Sequence, residues 1–335
     1  MTRTRPSTFS IVARDPETEA VGVAVQSKFV SVGSVVPFAA ADAGAIATQS
    51  FANVAYGPDG LDLLRAGKSA EAIVAELTDD DPESASRQVG VVGSDGSVAA
   101  FTGAECFEFA DDSQGENYTV QGNILENRET LEAMEAAFEE TEGGLPERLI
   151  AALHAGNDAG GDKRGEQSAA LYVVKPEGGY DGKNDRWIDV RVDDHETPIE
   201  ELERVFKIYD VTLLEREEPD ECRELSGETA AAVRETLADL GMYDETQDGS
   251  GHGATDDDGD GEIAPDSPNA PDASGAFGES DRDALEAFRG MNNFENHDLA
   301  VLEDALARGW DDAKGSGEER LVDAIWHGLS RLDRK

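Results

Sequence analysis

The sequence predicts an α+β protein, a four-layer αββα sandwich followed by a small all-helical module. Three observations support this fold class. Early strands are joined by short turns, groups of strands alternate with helical pairs, and only helical periodicity is left beyond residue 222. Because hairpin turns connect antiparallel neighbours, a doubly wound parallel sheet fits this order poorly.

The strands are predicted from short apolar runs bounded by turn residues. Residues 8–14 and 20–25 flank a turn at 15–19 and predict a hairpin. A further apolar run, residues 29–41, is interrupted by Gly33 and Pro37. Other strands are predicted at residues 44–48, 89–92, 98–101, 167–175 and 187–192, with a strand or loop at 118–125.

The helices follow from apolar residues spaced three or four apart. They are predicted at residues 61–64 and 70–77, then at 129–140, 145–155 and 199–209. The tail predicts helices at residues 226–240, 281–288, 300–307 and 319–332. We therefore place a sandwich domain at residues 8–215 and a helical module at 222–335, which an acidic Gly/Asp-rich insertion at 244–280 divides.

The charge of the chain limits its partners. Asp and Glu number 73 against 28 Lys and Arg, a formal net charge of −45. Because phosphate binding needs a basic face, neither a nucleic acid nor an anionic membrane surface is expected as a partner. The acidic residues occur in every segment and arginine outnumbers lysine, which indicates a halophilic protein whose self-repulsion is screened by salt. The alternative is an ordinary acidic cytosolic protein.

No metal and no cofactor are expected. Cys106 and Cys222 lie far apart, and neither glycine-rich nucleotide-binding motif occurs. Residues 256–261 match the first half of a calcium loop, but its twelfth position is Ser267 instead of Glu. The sequence has no apolar run of signal-peptide or membrane-spanning length, so we expect a cytoplasmic protein.

Several short motifs occur in a fixed order between residues 8 and 210. They are T-F-S-I-V-A-R-D (8–15), G-V-A-V-Q-S-K-F (22–29), V-G-S-V-V-P-F (32–38), A-T-Q-S-F-A-N (47–53), Y-G-P-D-G-L (56–61), Q-G-N-I-L (121–125) and Q-S-A-A-L (167–171). Together they resemble an uncharacterised family, domain of unknown function 1028. The resemblance implies an N-terminal-nucleophile hydrolase fold, which agrees with the layer order above. In the tail, residues 229–243 and 284–296 resemble a peptidoglycan-binding-like module.

The resemblance implies a mechanism centred on Thr8. In this fold an N-terminal Thr attacks an amide carbonyl through its hydroxyl, while its free α-amine accepts the hydroxyl proton. Thr8 opens the first strand, but its amine is free only once residues 1–7 are removed. In many relatives the matching Thr follows the initiator Met directly. Three alternatives stay open: the Ser7–Thr8 bond is cleaved, the natural start differs, or Thr8 is an ordinary strand residue.

Residues that assist Thr8 are predicted on the neighbouring strand. Gln26, Ser27 and Lys28 end the second strand of the hairpin. A lysine close to the nucleophile would lower the proton affinity of the amine and stabilise negative charge. In proteasome-like members this lysine lies on the third strand, where this chain has only Val and Ser. A solvated strand-end cation is the alternative for Lys28.

Polar residues in strand ends and loops complete the candidate site. Asn123 is predicted as an amide donor to an oxyanion, and Asp162 and Ser168 as groups that orient the amine. The predicted substrate-binding residues are Gln49, Ser50, Asn53, Gln121, Arg164 and Gln167. Hydrogen bonding within loops and at helix caps is the alternative for all of them.

Two functions are compatible with this sequence. The first is an amide-bond hydrolase that acts on a small amide or peptide-like substrate through Thr8. The second is a non-catalytic binding or assembly protein that keeps the sandwich and recruits a partner through the helical module. In either case we expect a homo-oligomer, because this fold commonly buries sheet edges and helix faces in assemblies.

Overall fold

A computed structural model describes residues 8–214, 223–243 and 277–308 of the chain. Residues 1–7, most of the predicted insertion, Cys222 and the predicted helix at 319–332 lie outside these ranges. The partial calcium-loop match at 256–261 lies outside them too. The chain divides into two compact units after Phe206. Each unit is described by itself.

Within the described residues, the strands of the first unit form two antiparallel sheets. They are β1 (Thr8–Arg14), β2 (Val21–Ser27), β3 (Pro37–Ala40), β4 (Gly44–Ser50), β5 (Arg87–Gly93), β6 (Val98–Thr102), β7 (Asp111–Gly115), β8 (Tyr118–Asn123), β9 (Ser168–Val174) and β10 (Arg186–Val192). The larger sheet has the order β10-β9-β2-β1-β8-β7, and the smaller has the order β3-β4-β5-β6. Strand β1 therefore lies near the centre of the larger sheet.

Helices cover the outer face of each sheet. Helices α1 (Tyr56–Arg65) and α2 (Ala70–Asp79) pack on the smaller sheet, and α3 (Glu129–Glu140) and α4 (Leu145–Asp158) pack on the larger one. The two sheets face each other across an inner layer of side chains. Helix α5 (Pro198–Leu213) follows β10. This arrangement confirms the predicted α+β sandwich with its four layers.

Local chemistry explains the first hairpin and the position of α1. The Asp15 carboxylate accepts hydrogen bonds from the Glu17 N–H at 2.9 Å and the Thr18 hydroxyl at 2.7 Å, which closes the turn between β1 and β2. Helix α1 contains Gly57 and Gly60 where it crosses the smaller sheet. A Cβ atom at Gly57 would lie 2.2 Å from the Phe38 ring, so only glycine permits this approach.

The structure differs from the sequence-based prediction at three elements. Strand β7, D-D-S-Q-G, was not predicted because it is an edge strand without an apolar residue. The apolar run at residues 29–41 contains a 3-10 helix at Val32–Ser34, and only Pro37–Ala40 forms a strand. Helix α1 already begins at Tyr56, because Pro58 in the first turn leaves no internal hydrogen bond unmade.

In the second unit the described residues contain three helices beyond α5. They are α6 (Gly227–Asp239), α7 (Glu279–Met291) and α8 (Leu299–Arg308). Their apolar faces meet in a core that includes Val233, Leu237, Leu285, Phe288 and Leu302. Helix α7 begins at Glu279, and therefore before residue 280, where the insertion was predicted to end. None of the helices in the described ranges is long and apolar enough to cross a membrane.

Candidate functional site

A cleft beside Thr8 is the candidate site of the first unit. The cleft has a volume of about 510 Å³, and Thr8, Gln49 and Ser50 contribute to its lining. The strand register places Thr8 between Ser27 on β2 and Asn123 on β8. Thr8 is only 3% exposed, and its Oγ1 atom lies 3.1 Å from Ser27 Oγ. The structure thus brings together the hydroxyls of Thr8 and Ser27 at one end of a cleft.

Buried amides hold the Thr8 backbone. The Thr8 carbonyl oxygen accepts hydrogen bonds from Gln49 Nε2 at 3.4 Å and from Asn123 Nδ2 at 3.5 Å. The same two nitrogens donate to Gln88 Oε1, at 2.8 Å and 3.0 Å. These donors point at the carbonyl of Thr8 and at Gln88, so in this geometry they position the residue that carries the nucleophile. This is a different task from the oxyanion contact predicted for Asn123.

Gln88 on β5 joins the two sheets and was missed by the sequence analysis. It is fully buried, and its Nε2 atom donates to the Thr102 hydroxyl at 2.9 Å and to the carbonyl oxygens of Asp111 at 3.1 Å and Gly122 at 2.9 Å. A glutamine at the second position of a strand that is apolar from there on, R-Q-V-G-V-V-G, is the signal that identifies it. A polar side chain in such a strand needs buried partners.

Gln121 and Ser10 extend this network away from the cleft. Gln121 Nε2 donates to Ser10 Oγ at 2.6 Å, and Ser10 Oγ donates to Gln49 Oε1 at 2.6 Å. We call the set Ser10, Gln49, Gln88, Gln121 and Asn123 the inter-sheet amide network. Gln121 was predicted to bind substrate. The structure places it in this network, fully buried between the sheets.

Gln26 lies on the other face of the larger sheet. It pairs with Phe9 in the strand register, and Phe9 faces α4, as shown by its ring 3.4 Å from a Cβ built at Gly156. Because side chains alternate along a strand, Ser27 faces Thr8 while Gln26 faces the helices. Its amide atoms are buried and find no hydrogen-bond partner among the described residues. Gln26 is therefore not positioned to assist Thr8.

Lys28, Asp162 and Arg164 form a bonded group where β2 ends. Lys28 Nζ donates to the Glu166 carbonyl oxygen at 2.7 Å, and the Lys28 N–H donates to Asp162 Oδ2 at 2.8 Å. Arg164 Nη2 lies 3.3 Å from Asp162 Oδ2 and 3.3 Å from the Lys28 carbonyl oxygen. The Asp162 carboxylate thereby fixes the backbone at Lys28, directly before the segment that forms a wall of the cleft.

Ser168 fixes the same segment, whereas Gln167 does not take part. Ser168 Oγ accepts the Val32 N–H at 3.1 Å and donates to the Phe29 carbonyl oxygen. Phe29 and Val32 both line the cleft, so Ser168 shapes its wall. Gln167 Nε2 donates to Asp194 Oδ1 at 3.0 Å, which directs this predicted substrate-binding residue to the loop after β10.

Asp81, Glu83 and Arg87 form a charged cluster that the sequence patterns did not indicate, and Glu83 and Arg87 line the cleft. Arg87 Nε donates to Asp81 Oδ2 at 2.9 Å, and Nη2 donates to Glu83 Oε2 at 2.8 Å. The Arg87 guanidinium holds the pKa of Asp81 well below its usual range. Burial and the hydrogen bond to Asp81 raise the pKa of Tyr56.

Ser50 and Asn53 lie next to this charged cluster, because Ser50 pairs with Arg87 in the strand register and Asn53 bonds Asp81. Ser50 ends β4 with a φ of 66° and lines the cleft. Asn53 Nδ2 donates to Asp81 Oδ2 at 3.1 Å, and its Oδ1 atom accepts the Ala55 N–H at 3.2 Å ahead of α1. Asn53 therefore has the hydrogen bonds of a loop residue that links the charged cluster to the start of a helix.

Cys106 is a second nucleophilic side chain near the cleft. Its thiol donates to the Arg87 carbonyl oxygen at 3.3 Å. Burial raises the pKa of this thiol, so it stays protonated at neutral pH and is a weak nucleophile.

Across the described ranges, no group of three or more His, Cys, Asp or Glu side chains is arranged to hold a metal ion.

Comparison with known proteins identifies the family of the first unit. The model described as "Family of unknown function (DUF1028)" matches residues 8–202. The chain belongs to this family. A solved member of DUF1028, protein SPO2555 from Silicibacter pomeroyi, is 33% identical, with 61% of this chain and 86% of that chain covered and a TM-score of 0.56. No curated protein matches the chain.

The tail matches a second family. The model described as "Putative peptidoglycan binding domain" matches residues 270–326, of which the structure describes 277–308. Both predicted resemblances are therefore confirmed. The prediction of a halophilic protein stays a prediction. In this DUF1028 member, the motifs that carried the resemblance supply Thr8 and Gln49, which line the cleft, and Ser27 and Asn123, the register partners of Thr8.

Proposed function

We propose that this DUF1028 protein hydrolyses the amide bond of a small amide or peptide-like compound, with Thr8 as the nucleophile. One observation supports this most strongly: Thr8 lines the cleft and its Oγ1 atom lies 3.1 Å from Ser27 Oγ, while two buried amides hold the Thr8 carbonyl oxygen. A nucleophile needs a fixed position and access to substrate, and this arrangement supplies both.

The reaction requires a free amine at Thr8. Hydrolysis of the Ser7–Thr8 peptide bond consumes one water and leaves a carboxylate on Ser7 and an amine on Thr8. The pKa of such an α-amine is about 7.7–8.0, so part of it is unprotonated at neutral pH. The unprotonated amine accepts the proton of Thr8 Oγ1 as this oxygen attacks the substrate carbonyl carbon.

Two steps then complete the turnover. As the tetrahedral intermediate collapses, the carbon–nitrogen bond breaks and the leaving amine takes the proton held by the Thr8 ammonium. The acyl group remains on Thr8 Oγ1 as an ester. Water attacks this ester and passes a proton to the α-amine, which returns it to Thr8 Oγ1 as the carboxylic acid leaves. Ser27, bonded to Oγ1, acts as a positioning residue in this scheme.

The test combines mass measurement with mutagenesis. We expect the protein purified from its native host to begin at Thr8, as measured by intact mass. Thr8→Ala should lower the rate of ammonium release from simple amides by at least about 10³-fold, because it removes the nucleophile. Thr8→Ser keeps a hydroxyl and should retain part of the activity. Assays belong in high salt, because the net charge is −45 and repulsion must be screened.

Thr18→Ala is a matched control for this substitution. Thr18 lies in the exposed turn at the other end of the same hairpin, where its hydroxyl bonds Asp15. Its removal should leave the rate unchanged. Persistence of residues 1–7 in native-host protein that nevertheless releases ammonium would contradict the direct Thr8 mechanism.

The non-catalytic alternative has one observation in its favour. The Lys28 ammonium, expected to assist Thr8, donates to the Glu166 carbonyl oxygen instead. A binding or assembly protein would keep residues 1–7 and would bind its partner equally well after Thr8→Ala. The same intact-mass measurement therefore separates the two functions.

A further inference from the structure

We infer that the cleft beside Thr8 selects uncharged amides that carry an apolar group on the acyl side. This inference rests on the proposed function, because it assigns the substrate class of the same site. It depends on three features of the cleft: its apolar walls, the balance of its charges and its size.

The walls of the cleft are apolar and held in place. The side chains that form them are Phe29, Val32, Val35, Val36, Phe51 and Ala52. Phe29 is 40% exposed, so part of its ring is open to a ligand in the cleft. The bonds of Ser168 to the Val32 N–H and the Phe29 carbonyl fix this segment. Such a preformed apolar wall binds ligand without a large ordering cost.

The charges at the cleft do not favour an anionic substrate. Glu83 and Arg87 are the charged residues in its lining. Arg87 already donates to two carboxylates, those of Asp81 and Glu83. The single guanidinium is thus more than neutralised, and the whole chain carries a net charge of −45. A carboxylate on the substrate would meet a surplus of negative charge.

The acyl side follows from the chemistry at Thr8. In the ester intermediate the acyl group is bonded to Thr8 Oγ1, whereas the amine has left. The acyl substituent must therefore fit against the walls nearest Thr8, and Phe29 follows Ser27, the register partner of Thr8, by two residues. The cleft volume of about 510 Å³ lies in the range of small-molecule sites.

The test measures binding and turnover in the same samples. Ligand-detected NMR titrations of the full chain give dissociation constants for hexanamide, acetamide, succinamate and N-butylacetamide, an isomer of hexanamide. Release of ammonium from the primary amides, and of butylamine from N-butylacetamide, is assayed in parallel. Hexanamide should bind about tenfold more tightly than acetamide, because its extra methylenes are partly buried. Succinamate and N-butylacetamide should bind more weakly than hexanamide.

A pair of neighbouring variants locates the effect. Phe29→Ala should weaken hexanamide binding about threefold or more, because it removes an apolar wall. Val30→Ala is the matched control, since Val30 is 52% exposed on the same segment but does not line the cleft. It should leave the binding of all four compounds unchanged.

The outcomes separate this inference from the proposed function. Equal binding of hexanamide and acetamide, or tighter binding of succinamate, overturns the apolar selection even if ammonium is released. Tighter binding of N-butylacetamide overturns the acyl assignment. Selective hexanamide binding that depends on Phe29, without release of ammonium or butylamine from any of the four amides, supports the selection and overturns the hydrolase.

Discussion

The layer between the two sheets has an apolar half and a polar half, built on the same strands. In the apolar half, Val12, Val23 and Ala45 belong to one buried cluster of valines and alanines. In the polar half, Ser10 and Gln49 lie on the same faces of β1 and β4 as these residues, but closer to Thr8. Both halves are fully buried, so burial does not explain the difference.

The polar half holds particular atoms in fixed positions, whereas the apolar half stabilises the sandwich. Apolar packing is non-directional, so valines and alanines stabilise the sandwich without fixing any single atom. A buried hydrogen bond contributes little net stability, but a lost one is costly, which makes a satisfied network rigid. The inter-sheet amide network ends on the Thr8 carbonyl oxygen. The sandwich therefore uses its directional contacts where the proposed nucleophile has to be held.

The largest effect is expected at the centre of the polar half. Gln88→Leu keeps the size of the side chain but removes the acceptor for Gln49 and Asn123 and the donor to three oxygens. Several buried polar groups lose their partner at once, so we expect the free energy of unfolding to fall by about 4 kcal/mol. Urea denaturation at a fixed high salt concentration measures it.

Val23→Ala is the matched change in the apolar half. Val23 is fully buried and belongs to the cluster of valines and alanines. Its truncation removes two methyl groups and leaves a small cavity, a loss of about 2 kcal/mol. If Gln88→Leu costs less than Val23→Ala, the network does not have the rigidity described above.

The next effect concerns Asp81 and Arg87, whose side chains are 9% and 13% exposed. Asp81→Asn leaves Arg87 with the exposed Glu83 as its one charged partner among the described residues, and should cost about 3 kcal/mol at pH 7. Arg87 lowers the pKa of Asp81 in the folded protein. The wild-type advantage is therefore present above the unfolded pKa of about 4 and is lost as the pH falls below it.

The pH dependence distinguishes an ion pair from a neutral hydrogen bond. The difference in unfolding free energy between wild type and Asp81→Asn should be constant from pH 7 to pH 5 and should shrink below pH 4. Urea titrations at each pH measure the difference. A difference that stays constant down to pH 3 would show that the charge of Asp81 does not contribute.

The sequence predicts the fold better than the site, for a physical reason. Apolar runs and turns identify strands such as β1 and helices such as α3, because burial of one face dominates their formation. The same signal is missing in the polar edge strand β7. The hairpin between β1 and β2 also predicts that Thr8 and Ser27 are neighbours, since register follows from a short turn.

The contacts between the sheets are not encoded in local patterns. Gln88 meets Gln49 and Asn123 only because two sheets stack in one relative position. Asp81 and Arg87 form their ion pair because the loop after α2 folds back onto the start of β5. The hairpin predicts that Lys28 lies close to Thr8. In the structure its ammonium instead donates to the carbonyl oxygen of Glu166, a residue far away in the sequence. Such contacts depend on tertiary packing, which a single sequence does not show.

The smallest effect separates two buried glutamines of the larger sheet. Gln121 faces the smaller sheet and bonds Ser10 Oγ at 2.6 Å, whereas Gln26 faces the helices, and its amide has no partner among the described residues. Gln26→Met keeps the length of the side chain and removes an unsatisfied buried amide, so it should stabilise the protein by about 1 kcal/mol. Gln121→Met should instead destabilise it by about 2 kcal/mol, because Ser10 loses its donor.

Opposite shifts of the urea midpoint would show that the amides of this sheet are stabilising only where they belong to the network that holds Thr8. Destabilisation by Gln26→Met would mean that the Gln26 amide is bonded in solution and that the helix face of the sheet has a polar site of its own.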